Sequence, residues 1–173
     1  KAIVDDFPGV TRDRLYGEAE WFGKKFTLVD TGGILFDGED LIKTKVVDTI
    51  KDVIKSADLV LMVADGRSGL LPDDKKILTF IKENNPNYVV AVNKIDSQAA
   101  VDKSYEFYNL GIDTLFPVSS AHSLGLDDLL DYIAEKIPAE KPEKGGEKLP
   151  KIAITGRENA GKSSLFNALL KEE

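Results

Sequence analysis

The chain has 173 residues, of which 42% are hydrophobic and 8% aromatic, enough apolar side chains for the core of one domain. Its 30 acidic residues outnumber 23 Lys and Arg, and the net charge of −7 excludes binding driven by a general attraction to nucleic acid or anionic membranes. There is no cysteine for disulfides or thiolate metal sites, and no apolar run reaches the roughly 20 residues of a membrane span, so we expect a cytoplasmic protein.

Short apolar strands alternate with amphipathic helices along the chain, which predicts an α/β fold with a mostly parallel sheet covered by helices on both faces. The first two strands, at 15–22 and 25–29, are separated by Gly23 and Lys24 and are predicted to form an antiparallel hairpin at one edge of the sheet. The later segments are a helix at 40–55, a strand at 59–64, a helix from Pro72 to Asn84, a strand at 88–92, a helix near 99–109, a strand at 115–118 and a helix at 126–137.

Residues 138–150 contain three prolines and two glycines with little apolar content, and this composition predicts a solvated linker. A last strand at 151–155 and a last helix at 162–170 follow it. An isolated strand–helix pair has no partner for its apolar face, so we expect it to complete the sheet of residues 1–137 and to form a single domain over 1–173. The linker could instead donate the pair to a neighbour, so a monomer and a strand-exchanged dimer both remain open.

The segment from Gly156 to Ser163 has the pattern Gly-x-x-x-x-Gly-Lys-Ser between a predicted buried strand and a helix, which is the context of a phosphate-binding loop. Its glycines let backbone N–H groups converge on phosphates, and the start of the helix adds the positive end of its dipole. Lys162 is predicted to contact the β- and γ-phosphates, and Ser163 to ligate Mg²⁺. The predicted nucleotide contacts of this loop are Asn159, Ala160, Gly161, Lys162, Ser163 and Ser164.

A second motif, the sequence NKID at 93–96, follows the apolar run at 88–92. A carboxylate after a buried strand can accept from the N1–H and the exocyclic amine of guanine, whereas adenine has an acceptor at N1, and polar sites of this kind discriminate by roughly four orders of magnitude. Alone, the motif would also fit a helix cap. Beside the phosphate loop it predicts a guanine nucleotide, with base contacts from Asn93, Lys94 and Asp96. Small residues after the strand at 115–118 would let backbone N–H groups approach the guanine O6; they are Ser119, Ser120 and Ala121.

Two further segments supply the predicted metal and γ-phosphate contacts. Asp30 ends the second strand of the hairpin, where an acid can hold Mg²⁺ through water while the Gly33 N–H meets the γ-phosphate, although a hairpin-end turn would use similar residues. Thr11, in a polar loop ahead of it, is a candidate second Mg²⁺ ligand. The predicted cofactors are therefore GTP or GDP and Mg²⁺.

On these residues the chain resembles the Der (EngA) family of bacterial tandem GTPases, in the class that also includes Era and MnmE. The matching segments are AIVDDFPGVTRDRLYGEAEW, FTLVDTGGI, ADLVLMVADGRSGLLPDD, VVAVNKID, PVSSAHSLGLDDLL and IAITGRENAGKSSLFNALL. The resemblance implies a P-loop GTPase fold, GTP hydrolysis and, by family function only, a role in assembly of the large ribosomal subunit. Family members have two G domains and a C-terminal KH-like domain, whereas each nucleotide motif occurs once here, and Glu158 replaces the usual proline.

The resemblance also bears on the mechanism of hydrolysis. Ile34 follows Gly33, where many small GTPases keep a water-orienting glutamine, so catalysis has to come from elsewhere. Asn159 occupies the position that coordinates potassium in relatives such as MnmE, where the ion takes the role of an arginine finger. A positive charge in that role can contribute about 10³ to 10⁵ in rate. The resemblance therefore implies K⁺-assisted hydrolysis, with the catalytic residues Lys162, Asn159, Thr11 and Gly33.

The phosphate loop follows every other nucleotide motif, which inverts the order of an ordinary G domain. Either the chain is a circular permutant in which 138–150 joins the last helix to the first strand, or it is one period of a tandem protein. Because the chain is interrupted between the phosphate-loop helix and Thr11, a GDP- or GTP-binding module with negligible hydrolysis is the alternative to a GTPase. A P-loop kinase or ATPase is a third interpretation, which the NKID motif disfavours.

Overall fold

The computed structural model describes residues 15–32, 41–138, 141–143 and 146–170. The strands in this part of the chain are β1 (Leu15–Trp21), β2 (Lys24–Asp30), β3 (Leu59–Asp65), β4 (Tyr88–Asn93), β5 (Leu115–Pro117), β6 (Lys141–Glu143), β7 (Gly146–Lys148) and β8 (Lys151–Thr155). The α-helices are α1 (Leu41–Ser56), α2 (Pro72–Asn84), α3 (Gln98–Ser104), α4 (Leu126–Lys136) and α5 (Lys162–Leu170), and a 3₁₀ helix at Tyr105–Leu110 continues α3. The predicted α/β class is confirmed.

Six strands form one sheet in the order β1-β2-β8-β3-β4-β5, in which β1 and β2 are antiparallel and the other neighbours are parallel. The hairpin reverses at Phe22 and Gly23, both with positive φ, and places β1 at the edge, as predicted. β8 lies between β2 and β3 and pairs with both. The last strand of the chain therefore has a central position in this sheet, with hydrogen-bonded neighbours on both sides.

Helices cover both faces of the sheet, as the burial of β3 shows. All seven of its residues are buried, because successive side chains of a strand point to opposite faces and both faces are covered. One face of β3 packs in a core with α4 and α5 through Leu59, Leu61 and Val63. The other face packs in a core with α1 and α2 through Val60, Met62 and Ala64. None of the helices within the described ranges is long and apolar enough to cross a membrane.

The predicted linker and one predicted helix differ in detail from the structure. β6 and β7 pair as a separate two-stranded antiparallel sheet inside 138–150, with Lys141 opposite Lys148. The composition of this segment predicted a linker, because its short polar strands lack the alternating apolar pattern that indicates a strand. The helix predicted near 99–109 is an α-helix only as far as Ser104.

The parallel strands all run in the same direction, so their carboxyl ends lie side by side along one edge of the sheet, which is not the edge formed by the outer strand β1. Asp30 pairs with Ile154, and Asp65 with Asn93, so the loops after β2, β8, β3 and β4 leave side by side. Backbone hydrogen bonds hold these exits together, such as that from Gly66 N to Asn93 O at 2.8 Å. Open α/β sheets bind ligands at this edge, and each nucleotide motif predicted within the described residues begins there.

Candidate nucleotide-binding site

The phosphate loop, residues 156–163, runs from the end of β8 to the start of α5. A Cβ at Gly156, where φ is 150°, would clash with the carbonyl oxygen of Val63. A Cβ at Gly161, where φ is 91°, would clash with the side-chain amide of Asn93. Glycine alone combines these backbone angles with such close approaches, so both glycines of the motif are required by the fold of the loop.

Lys162 is the first residue of α5 and is buried, with 6% of its surface exposed. Its Nζ donates to the carbonyl oxygen of Arg157 at 2.7 Å, across the loop. Burial lowers the pKa of the amine, and the negative charge of Asp30 opposes this shift. A desolvated cation at a helix N-terminus is well placed to pair with an anionic phosphate.

Ser163 and Asp30 form a pair of oxygen donors beside Lys162. Ser163 Oγ donates to Asp30 Oδ2 at 2.8 Å, and Asp30 Oδ1 accepts from the backbone N–H of Gly32 at 3.0 Å. Hydroxyl and carboxylate oxygens suit Mg²⁺, which usually takes one or two protein ligands and completes its shell with phosphate and water. The described residues contain no group of three or more acidic or His side chains that could hold a metal. The pair fits Mg²⁺ bound jointly with nucleotide phosphates.

Asn93, at the end of β4, links the phosphate loop to the loop after β5. Its side chain is almost fully buried, and Nδ2 donates to the carbonyl oxygens of Ala160 and Gly161, both at 3.3 Å. Its Oδ1 accepts from the backbone N–H and the hydroxyl of Ser120 at 3.0 and 3.1 Å. The sequence predicted a base contact for Asn93, and nothing local in it indicated that this side chain links and positions the two loops.

Lys94 extends this link to the end of β3. The backbone of Lys94 has a φ of 65°. Its Nζ donates to Asp65 Oδ2 at 2.8 Å and to the carbonyl oxygen of Asn159 at 2.5 Å. Although burial raises the pKa of Asp65, the hydrogen bond and charge of Lys94 hold that pKa below its ordinary value. Sequence reasoning missed Asp65. Its signal was available, because it ends a buried strand as Asp30 and Asn93 do.

Asp96, the predicted guanine-recognition carboxylate, lies at the surface and pairs with Arg67. Arg67 Nε lies 3.4 Å from Asp96 Oδ1, and Arg67 Nη2 donates to Asp96 Oδ2. These hydrogen bonds lower the pKa of Asp96, so its carboxylate stays ionised. Sequence reasoning assigned no role to Arg67, because nothing local relates the loop after β3 to the loop after β4.

A buried ion pair links the phosphate loop to α2. Arg157 Nε lies 3.3 Å from Asp74 Oδ1, and Arg157 Nη2 lies 4.0 Å from Asp65 Oδ2. Asp74 is fully buried, and its Oδ2 accepts from the Leu71 N–H at 3.0 Å at the start of the helix. Burial raises the pKa of Asp74, and Arg157 opposes the shift. Nothing local in the sequence relates Asp74 to Arg157, because the two residues lie far apart in the chain.

The remaining predicted residues lie around these links. Ser119 is buried and begins a tight turn, with its N–H donating to the Leu124 carbonyl oxygen at 2.9 Å. Four of the predicted residues are exposed at the surface of the site: Ala121, Asn159, Ser163 and Ser164. The structure thus brings the phosphate loop, NKID, Asp30 and the Ser119 turn to one edge of the sheet. Thr11, Gly33 and Ile34 lie outside the described residues.

Solved structures show the same fold. The chain superposes on the G domain of the T. maritima FeoB iron transporter with a TM-score of 0.61 and 27% identity, over 79% of this chain and 83% of that one. The cytosolic domain of the same transporter in a GDP form matches with a TM-score of 0.57 and 26% identity, over 78% of this chain and 53% of that one. The chain therefore has the α/β fold of a P-loop GTPase, with a mostly parallel sheet and one antiparallel pair.

Curated relatives resemble the chain from end to end. It is 45% identical over 172 residues to GTPase Der of Clostridium novyi, and 43% identical over 173 residues to GTPase Der of Caldanaerobacter subterraneus. Each match covers 99% of this chain and 39% of the relative, so the chain spans about two fifths of their length. The profile of a family described as 50S ribosome-binding GTPase matches residues 1–94 and 151–173. The chain belongs to this family of 50S ribosome-binding GTPases.

Proposed function

We propose that the chain binds GTP and GDP with Mg²⁺ and hydrolyses GTP to GDP. One observation carries the proposal: Asn93 links the phosphate loop, with its buried Lys162 and its Ser163–Asp30 pair, to the loops that would surround a guanine base. Lys162 Nζ would leave the Arg157 carbonyl oxygen and pair with the β- and γ-phosphates. Bound Mg²⁺ would neutralise charge on the same phosphates, held by Ser163 and, through water, by Asp30. Family membership supports the reaction.

Competition between nucleotides tests the binding step. We expect GDP to displace a fluorescent GDP analogue from the chain far better than ADP does, because Asp96 accepts from guanine and not from adenine. Asp96→Asn removes one acceptor of that pair and should lose most of the preference. Equal affinity for GDP and ADP in the wild type would contradict the proposal and favour a P-loop kinase or ATPase.

Hydrolysis is proposed to use K⁺ at Asn159. Its carbonyl oxygen is held by Lys94 at 2.5 Å, while its side chain is exposed at the phosphate loop, and the family resemblance assigns K⁺ to this position. A cation there can contribute about 10³ to 10⁵ in rate, so even a partial effect should exceed about tenfold. We expect faster single-turnover hydrolysis in KCl than in NaCl, and loss of that difference in Asn159→Ala. Measurable hydrolysis at equal rates in both salts would contradict the K⁺ role. GDP binding without hydrolysis in either salt would support the nucleotide-binding module instead.

We further propose that residues 1–173 act as one G domain, in which 138–150 joins α4 to β8. The position of β8 between β2 and β3 supports this proposal. The order of motifs also occurs within longer relatives, because they match along 99% of this chain, so a permuted gene is not needed to explain it.

By family, the proposed partner is the large ribosomal subunit. We expect the chain to co-sediment with purified 50S subunits, and more strongly with a GTP analogue than with GDP. Sedimentation of the same amount of chain when the subunits are left out would count against this partner.

A further inference from the structure

Arg67 holds the carboxylate that the proposed function assigns to guanine. Its Nε and Nη2 face the two oxygens of Asp96, with Nε 3.4 Å from Oδ1, in the side-by-side arrangement of an Arg–carboxylate pair. Guanine presents its N1–H and its exocyclic amine along one edge in a similar arrangement. The guanidinium and the base therefore seek the same two acceptors, and one carboxylate cannot serve both in this geometry.

The backbone of Arg67 is anchored, whereas its side chain is mostly exposed to solvent. The N–H of Arg67 donates to Asp65 Oδ1 at 2.9 Å, and its carbonyl oxygen accepts from Lys103 Nζ at 2.9 Å. Its side chain is 63% exposed, against 20% for that of Asp96. Exposed ion pairs are weak, so the guanidinium can leave Asp96 without disturbing the loop and can return when the site empties.

We propose that Arg67 is a built-in competitor for guanine, which occupies Asp96 in the nucleotide-free protein and has to be displaced when the base enters. This inference rests on the proposed function, because it requires guanine to bind at Asp96. Breaking the Arg67–Asp96 pair costs free energy, and this cost lowers the affinity for GDP and GTP. Adenine offers an acceptor where guanine offers the N1–H, so it cannot replace Arg67 on the carboxylate. ADP is therefore expected to bind through its phosphates with the Arg67–Asp96 pair intact.

The test compares Arg67→Gln with Lys76→Gln, which removes the same charge from an exposed ion pair on α2. We expect Arg67→Gln to bind GDP about twofold to fivefold more tightly at low salt, the range that an exposed pair supports. The gain should shrink at about 0.5 M salt, because added ions already weaken the pair in the wild type. ADP affinity should be unchanged in Arg67→Gln, and Lys76→Gln should bind both nucleotides as the wild type does. These affinities are measured by titration calorimetry.

A second variant and the comparison of nucleotides separate the outcomes. Arg67→Lys keeps the charge but presents one ammonium instead of two parallel donors, so we expect a smaller gain for GDP than with Arg67→Gln. Unchanged or weaker GDP binding in both Arg67 variants, with guanine preference retained, would overturn this inference and leave the proposed function standing. An equal gain for GDP and ADP would also overturn it, because it would indicate a general change in the loop. A wild type without guanine preference would overturn both proposals.

Discussion

Lys162 is a buried cation whose Nζ donates to one carbonyl oxygen of the phosphate loop, that of Arg157. Lys162→Met keeps the length and apolar stem of the side chain but removes the ammonium. Hydrogen bonds to charged groups contribute about 1.5–3 kcal/mol, so we expect the Kd for GDP to rise about 10- to 150-fold. Without nucleotide, the free energy of unfolding should fall by less than about 1 kcal/mol or rise, because the buried ammonium is desolvated in the wild type.

Titration with a fluorescent GDP analogue measures the Kd of the Lys162→Met variant, and urea denaturation measures its free energy of unfolding. Lys136→Met is the control, because Lys136 is an exposed residue of α4 that pairs with the neighbouring Glu135 and lies over the ring of Tyr132. It should leave GDP affinity unchanged. GDP affinity that survives in Lys162→Met would show that this lysine does not contact the phosphates.

Local sequence patterns identified candidate site residues, but they did not indicate the contacts that these residues make with one another. The glycines of the phosphate loop, Lys162 and Ser163 were identified because their spacing is local and each has a specific chemical task. The second role of Asn93, as a link between two loops, was not predicted. Its partners come from distant segments that meet only when the strand ends align.

At the scale of elements, Asp74 connects α2 to the phosphate loop through Arg157. Burial raises the pKa of Asp74 above the ordinary value of 3.8, so the folded chain binds this proton more readily than the unfolded chain. The contribution of Asp74 to stability is therefore fully present below about pH 3.8. It is lost as pH rises through the raised pKa of the folded state.

Asp74→Asn removes this titration but keeps an oxygen that can accept from the Leu71 N–H. We expect the wild type to lose stability relative to this variant between about pH 4 and pH 7, because the folded chain holds the Asp74 proton more tightly than the unfolded chain. Urea denaturation at both pH values measures it. Asp73→Asn, which alters an exposed pair with Lys76 on the same helix, should change stability by less than about 0.5 kcal/mol at either pH. Parallel pH profiles for wild type and Asp74→Asn would contradict the prediction.

The boundaries of most elements were predicted to within a residue or two. β8 and α5 have the predicted bounds, because an apolar run beside a glycine loop and a helical apolar face are both strong local signals. The hairpin of β6 and β7 was missed because its polar residues carry no such pattern. The 3₁₀ helix after α3 was missed because a tighter turn leaves a similar spacing of apolar residues.

At the scale of the whole molecule, the last strand and helix belong to the core. Ile152 and Ile154 are fully buried, and β8 hydrogen-bonds on both sides. We expect a protease site inserted between β6 and β7 to be cleaved without separating the two parts. They should co-elute in size-exclusion chromatography and still bind GDP. Dissociation on dilution should rise, because cleavage makes the contact intermolecular.

Two outcomes would contradict closure of the sheet within one chain. Elution of the fragment with β8 and α5 on its own would show that this fragment does not complete the sheet. Alternatively, uncleaved chains carrying two different labels could form a dimer held by the same segment, which would establish strand exchange. An uncleaved monomer that binds GDP is the expected control result.

Local sequence patterns predicted the kinds of elements, which the structure confirms, and the nucleotide motifs with their proposed guanine specificity, because both depend on residues close together in the chain. Tertiary structure alone decided that β8 lies between β2 and β3, that Asn93 links two loops, that Arg157 meets Asp74 and that Arg67 meets Asp96. The physical reason is that parallel strands bring distant loops to one edge of the sheet. Local periodicity carries no information about which polar side chains will meet there.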